Sequence, residues 1–196
     1  MKQTREGETL FNLWFLCANP PRITYGALNA FRLLGGMSNT DFAASLDMPL
    51  PSYSRTHKNR PESSPNERIM SKAVRWISEL VVSGEALTWV FMYSDPDEQQ
   101  RRAESCQAIS YAALKKILPH TTLSCTELAK ASGAALCNFC QKVIRGRDDV
   151  NVPPAVALKV HETAARIGRT KTMQDAIKIY WFLSDLMNKA DLKQAV

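Results

Sequence analysis

Residues 122–168 read TLSCTELAKASGAALCNFCQKVIRGRDDVNVPPAVALKVHETAARIG, and this stretch decides the fold. Ser124 is an N-cap residue type, and Glu127 follows three positions later, the spacing of a capping box. Leu128 and Ala129 then fall on one face, and Gly133 breaks the pattern after about two turns. A second short helix follows. Phe139 and Val143, four apart, face inward, while Asn138, Gln141, Lys142 and Arg145 lie on the other side. Gly146 and the loop RDDVN end it. Asn151 is placed to cap a third helix, with Pro153 and Pro154 in a first turn where missing N–H groups cost little. Leu158, His161 and Ala165 complete an amphipathic helix.

Two short helices joined at a glycine, followed by a longer one, follow the helix-turn-helix plan. The segment resembles the DNA-binding head of the lac-repressor family and, more broadly, domains of the Cro and lambda-repressor type. Thr126, Leu128, Ala129, Gly133, Phe139, the Val143-Ile144 pair, the loop RDDV and the helix up to Gly168 carry the resemblance. It covers roughly a quarter of the chain. Ala134 and Ala135 depart from the family pattern, which places a hydrophobe and then Ser or Thr after the turn glycine. The resemblance implies a recognition helix in a major groove, with Leu136, Cys137 and Gln141 at base edges and Asn138 hydrogen-bonding beside Gln141. Lys142, Arg145 and Arg147 would hold phosphates.

The chain has 196 residues and a net charge of +6. Residues 101–172 hold 12 Lys and Arg against 5 Asp and Glu, a surplus of +7, so the remainder sums to −1. The positive field therefore sits in the segment with the helix-turn-helix pattern, and double-stranded DNA is the expected partner. Five cysteines, an odd number in helix-rich sequence, argue against a disulfide framework and for a reducing compartment. No apolar run reaches the length of a membrane span. The block LFNLWFLCA follows Glu6 and Glu8 and contains Asn12, which argues against a signal peptide. A cytoplasmic protein with no membrane contact is expected.

The pattern occurs twice. ITYGALNAF at 23–31 aligns without a gap on ISYAALKKI at 109–117, a shift of 86. In the same register Ser38 meets Ser124, Asp41 meets Glu127, Phe42-Ala43 meet Leu128-Ala129, Leu50 meets Leu136 and Tyr53 meets Phe139. This reads as an internal repeat. In the first copy Asp47 replaces the turn glycine, and Pro49 and Pro51 crowd the second helix, which is expected to be short, SYSRTHKNR. Ser52 and Arg55 are its candidate base readers, with Arg55 in the register of Gln141. Lys58 and Arg60 are its phosphate contacts.

The expectation is an all-α chain with two tandem helix-turn-helix units. Residues 1–95 hold an apolar block and the first unit, 96–108 a polar linker or helix start, 109–172 the second unit, and 173–196 a C-terminal helix suited to a homodimer seam. Ser64, Pro65 and Glu67 mark the start of a further helix. The apolar blocks at 9–18 and 86–94 read equally as helices or short strands. Trp89 and Trp181 are expected in the core.

Cys137 and Cys140 form a CxxC, and His120 and Cys125 lie near in sequence. A tetrahedral zinc site prefers such thiolates. There is no second CxxC, however, and the pair falls on the proposed recognition helix, so no metal or cofactor is expected. His57, His120 and His161 are far apart, and no GxSxG, HExxH or phosphate-binding glycine loop occurs. The sequence therefore points away from an enzyme and toward a transcriptional regulator. The alternative is a module on the same scaffold that contacts a protein such as RNA polymerase.

Overall fold

Thr24 and Ser110 stand 86 residues apart and act alike. In the computed structural model each hydroxyl accepts the backbone N–H three residues on, from Ala27 at 3.2 Å and from Ala113 at 3.1 Å, and so starts a helix. The structure describes residues 3–84 and 87–189. Among these, the chain is all α. In order, the helices are α1 (Gln3–Leu16), α2 (Tyr25–Leu34), α3 (Asn39–Ser45), α4 (Leu50–Asn59), α5 (Glu67–Ser83) and α6 (Leu87–Ser94). They continue as α7 (Pro96–Glu104), α8 (Tyr111–Ile117), α9 (Cys125–Ser132), α10 (Leu136–Arg145), α11 (Pro154–Gly168) and α12 (Lys171–Lys189). The described residues hold no strand, only an isolated bridge between Ser110 and Asn151. Of the two apolar blocks left open between helix and strand, residues 9–16 and 87–94 are therefore helical, as parts of α1 and α6.

The register of 86 persists in the helices. α2 and α8, α3 and α9, and α4 and α10 begin at matched positions, and α4 and α10 also end at matched positions. Ser38 and Ser124 each accept from the residue three on, Asp41 at 3.1 Å and Glu127 at 3.2 Å. Only Ser124 completes a capping box, with the Glu127 carboxylate accepting its N–H at 2.8 Å. The loop before α11 is one residue longer than the loop before α5, so these helices start 87 apart. Their buried positions keep that new spacing: Ala73 with Val160, Val74 with His161, Ile77 with Ala164, Ser78 with Ala165, and Val81 with Gly168. Both loops fold back on the helix that opens the repeat. The Pro61 carbonyl accepts from Gly26 at 2.8 Å, and the Arg147 carbonyl from Ala112 at 3.2 Å, so N–H groups that a helix start leaves unpaired are satisfied.

Chain contacts divide the molecule into two units. One comprises residues 1–90 and 171–196, the other 91–170. In the first, α5 packs on α1 and α12, α4 on α2 and α3, and α12 on α2. Phe42 lies edge-on to Tyr53 and Trp76 at 5.5 and 4.9 Å between ring centres. Trp14 meets Phe182 at 4.9 Å. In the second, α7 lies along α11, α10 packs on α8 and α9, and α9 on α11. Tyr111 meets Phe139 at 6.0 Å.

Several local expectations are corrected. Of the two readings of 96–108, polar linker or helix start, α7 matches the second: Asp95 caps it by accepting from Asp97 and Glu98, both at 3.0 Å. Its buried Gln99 and Ala103 face the core of the second unit. Asn66, not Ser64, caps α5, accepting from Ile69 at 3.0 Å, while Ser64 accepts from Arg22 at 2.7 Å. Asn151 does not cap α11. It is held in the bridge to Ser110, with Val152 donating to the Ile109 carbonyl at 2.8 Å, and Pro153 becomes the N-cap. α4 begins at Leu50, two residues before the expected start, because Pro51 fits the first turn. Trp181 is 47% exposed rather than core, and the Trp89 side chain lies outside the described residues.

Candidate nucleic-acid interface

A three-residue turn, Gly133 to Ala135, separates α9 from α10. Gly133 takes left-handed backbone, φ +67°, and a Cβ built there meets nothing within 4 Å. The glycine is thus required by conformation and not by crowding. Leu128 and Ala129 on α9, and Phe139 and Val143 on α10, are buried and fix the two helices together. That anchoring leaves Leu136, Asn138, Gln141, Lys142 and Arg145 exposed. Positions 138, 141, 142 and 145 recur at three and four, so they form one outward face. Among the described residues, neither Lys142 nor Arg145 has a carboxylate within ion-pair distance. The Gln141 amide reaches only the Cys137 sulfur, at 3.7 Å.

Arg147 stands apart from this face. It lies in the loop after α10, and its guanidinium grips Asp149 through two bonds of 2.9 and 2.5 Å. That partner holds the Asp149 carboxyl below the usual carboxylate range. Lys115 is a cation that sequence reasoning passed over. It reaches across from α8 and donates to the Ile144 carbonyl at 2.8 Å, at the end of α10 where such groups lack helical partners. Nothing in a linear pattern marks a contact between residues 29 apart.

The first unit presents the matching helix. Ser52, Arg55 and Lys58 are exposed on α4, and Arg60 is its C-cap. Tyr53 is the buried anchor, in the place of Phe139. His57, in the register of Val143, lies against the Tyr53 ring at 4.8 Å. Its Nδ1 donates to the Tyr53 carbonyl at 3.0 Å, and burial pulls its pKa below the usual histidine value. Asp47 takes the turn position with φ +52°. Lys72, then Arg68 at 3.1 Å, both from α5, hold its carboxyl below the ordinary range.

The cysteines are free thiols. Cys137 is exposed, whereas Cys125 on α9 and Cys140 on α10 are half-buried neighbours. Burial, and then the neighbouring Cys140, push the Cys125 thiol up, which disfavours the thiolate that a metal needs. Among the described residues no three His, Cys, Asp or Glu side chains converge on a metal position. The His120 side chain lies outside the described residues. No helix among those described is long and apolar enough to cross a membrane.

No family model, no curated protein sequence and no solved structure matches this chain.

Proposed function

We propose that the chain is a sequence-specific, helix-turn-helix DNA-binding regulator of transcription, with α10 and α4 as recognition helices in the major groove. The observation that carries this reading is the outward face of α10. Two carboxamides, Asn138 and Gln141, stand beside two cations without carboxylate partners, Lys142 and Arg145, one turn past a left-handed glycine. Carboxamides are the side chains that pair bidentately with adenine, and the cations suit phosphates. On α4, Ser52 and Arg55 stand in the register of Asn138 and Gln141, and Lys58 adds an exposed cation. A cytoplasmic homodimer is the expected form. Phe15, Leu16 and Trp181, exposed on α1 and α12 of the first unit, support such a seam.

A second reading rests on Ile144, which is 69% exposed on α10. A protein such as RNA polymerase would cover it, with the helix serving as an interaction surface. Binding of the purified chain to a random duplex pool at several salt concentrations separates the two. A linear, steep fall of log affinity with log salt, together with enrichment of a common sequence, supports DNA. Absence of binding at low salt overturns it in favour of the protein partner.

A further inference from the structure

Leu50 and Leu136 are the first residues of α4 and α10. Each follows a left-handed turn residue by three positions, Asp47 and Gly133 respectively. Each is a large aliphatic side chain left partly in solvent, 38% and 46% exposed, at the N-terminal end of its helix, three residues before the buried Tyr53 or Phe139 and beside the polar and cationic outer face. Other exposed apolar residues do not repeat in this way. Ile144 has the charged Lys58 as its counterpart, and Phe15, Leu16 and Trp181 lie outside the repeated pairs of helices. Leu50 and Leu136 are thus the apolar feature that the two copies share.

A recognition helix enters the groove by its N-terminal residues. Along the base edges of a major groove, one apolar group is on offer, the C5-methyl of thymine. Leucine has no donor or acceptor with which to read any other edge. We infer that Leu50 and Leu136 are equivalent thymine-methyl contacts, so that one chain reads two thymine-bearing half-sites. The inference rests on the DNA-binding reading above and adds a specificity determinant in each unit.

Deoxyuridine tests it, because it differs from thymidine by that methyl alone. In a duplex enriched from the random pool, each thymine is replaced singly by deoxyuridine, and equilibrium affinity is measured at fixed salt. One replacement in each of two half-sites should weaken binding about fourfold, the factor for one methyl group left unburied. Leu136→Ala should erase the penalty at one of these positions, and Leu50→Ala at the other. Leu136→Met, which keeps an apolar tip, should retain it. Both positions are on the surface, so unchanged melting curves of the three variants would exclude misfolding as the cause. Tolerance of deoxyuridine throughout, discrimination confined to one half-site, or loss of both penalties in a single variant would each overturn the inference while leaving DNA binding intact. Failure to enrich any duplex would sink the DNA-binding reading, and this inference with it.

Discussion

Asp47 and Gly133 occupy equivalent places in the two repeats and share left-handed backbone, φ +52° and +67°. Glycine adopts that conformation freely, while a residue with a Cβ is strained there. The Asp47 carboxylate is held by Lys72 and Arg68, yet these pairs are exposed and contribute little. Asp47→Gly should therefore raise the melting temperature. Gly133→Ala should lower stability by about 1 kcal/mol, from backbone strain alone, since a Cβ there meets no neighbour. Thermal or urea unfolding reads both. A lower melting temperature for Asp47→Gly would mean that the ion pairs outweigh the strain.

Gly26 and Ala112 are also equivalent, but only one tolerates a methyl group. A Cβ at Gly26 would run into Thr172 Cγ2, at the start of α12, and would lie 3.2 Å from Pro61. Gly26→Ala should destabilise the first unit by about 1–3 kcal/mol through overpacking. Thr172→Ser, which removes the obstructing methyl, should recover part of that loss, and denaturant midpoints of the single and double variants would show the coupling.

His161 is buried between two partners of the second unit, with Gln99 Oε1 3.2 Å from Nδ1 and the Gln107 carbonyl 3.1 Å from Nε2. Burial is the main cause that lowers its pKa, opposed by the Gln107 carbonyl. His57 is lowered for the same first reason. An unfolded histidine takes up its proton near pH 6.5. Below that value the unfolded chain binds protons that the folded chain resists, so stability falls as pH drops from about 6.5 through the lower folded values. His161→Gln should lower the melting temperature at neutral pH and flatten its dependence between pH 7 and 5. An unchanged slope would show that His161 titrates normally.

Lys142 and Arg145 stand without carboxylate partners, whereas Arg147 is forked to Asp149. If the outer face of α10 meets DNA, Arg145→Ala should reduce the salt slope of binding by about 0.9, one phosphate's worth. Arg147→Ala should change it less, because its charge is already matched. Asp149→Asn should strengthen binding to all sequences alike by freeing Arg147. Titrations at four or five salt concentrations would check the order, and an equal loss for the two arginines would refute it.

The repeat was legible because its signals are local. A hydroxyl before α2, α3, α8 and α9, and Leu or Phe at fixed offsets, act within a turn or two, and the 86-residue register survives in the helices themselves. What escaped the sequence was set by distant contacts. Polar composition left 96–108 open between linker and helix start; Asp95 caps a helix there, and Gln99 is drawn inside beside His161 on α11. Asn151 carried the chemistry of a cap, yet strand-like pairing with Ser110 took it first. On α10, the inward Phe139 and Val143 fixed which side chains face out. The Arg147–Asp149 fork and the Lys115 bond to Ile144 depend on loop paths that no periodicity encodes.

Residues 91–170 lie, in chain order, inside the first unit, whose closing helix is α12. That arrangement reverses the order of manufacture. As the polypeptide leaves the ribosome, α2 and α5 emerge before the helix that packs on both, α12, which follows only after residues 91–170. Residues 91–170 can complete their own contacts while α2 and α5 still wait for the nineteen-residue α12. The face of α2 and α5 that α12 covers stays without that cover while residues 91–170 are translated.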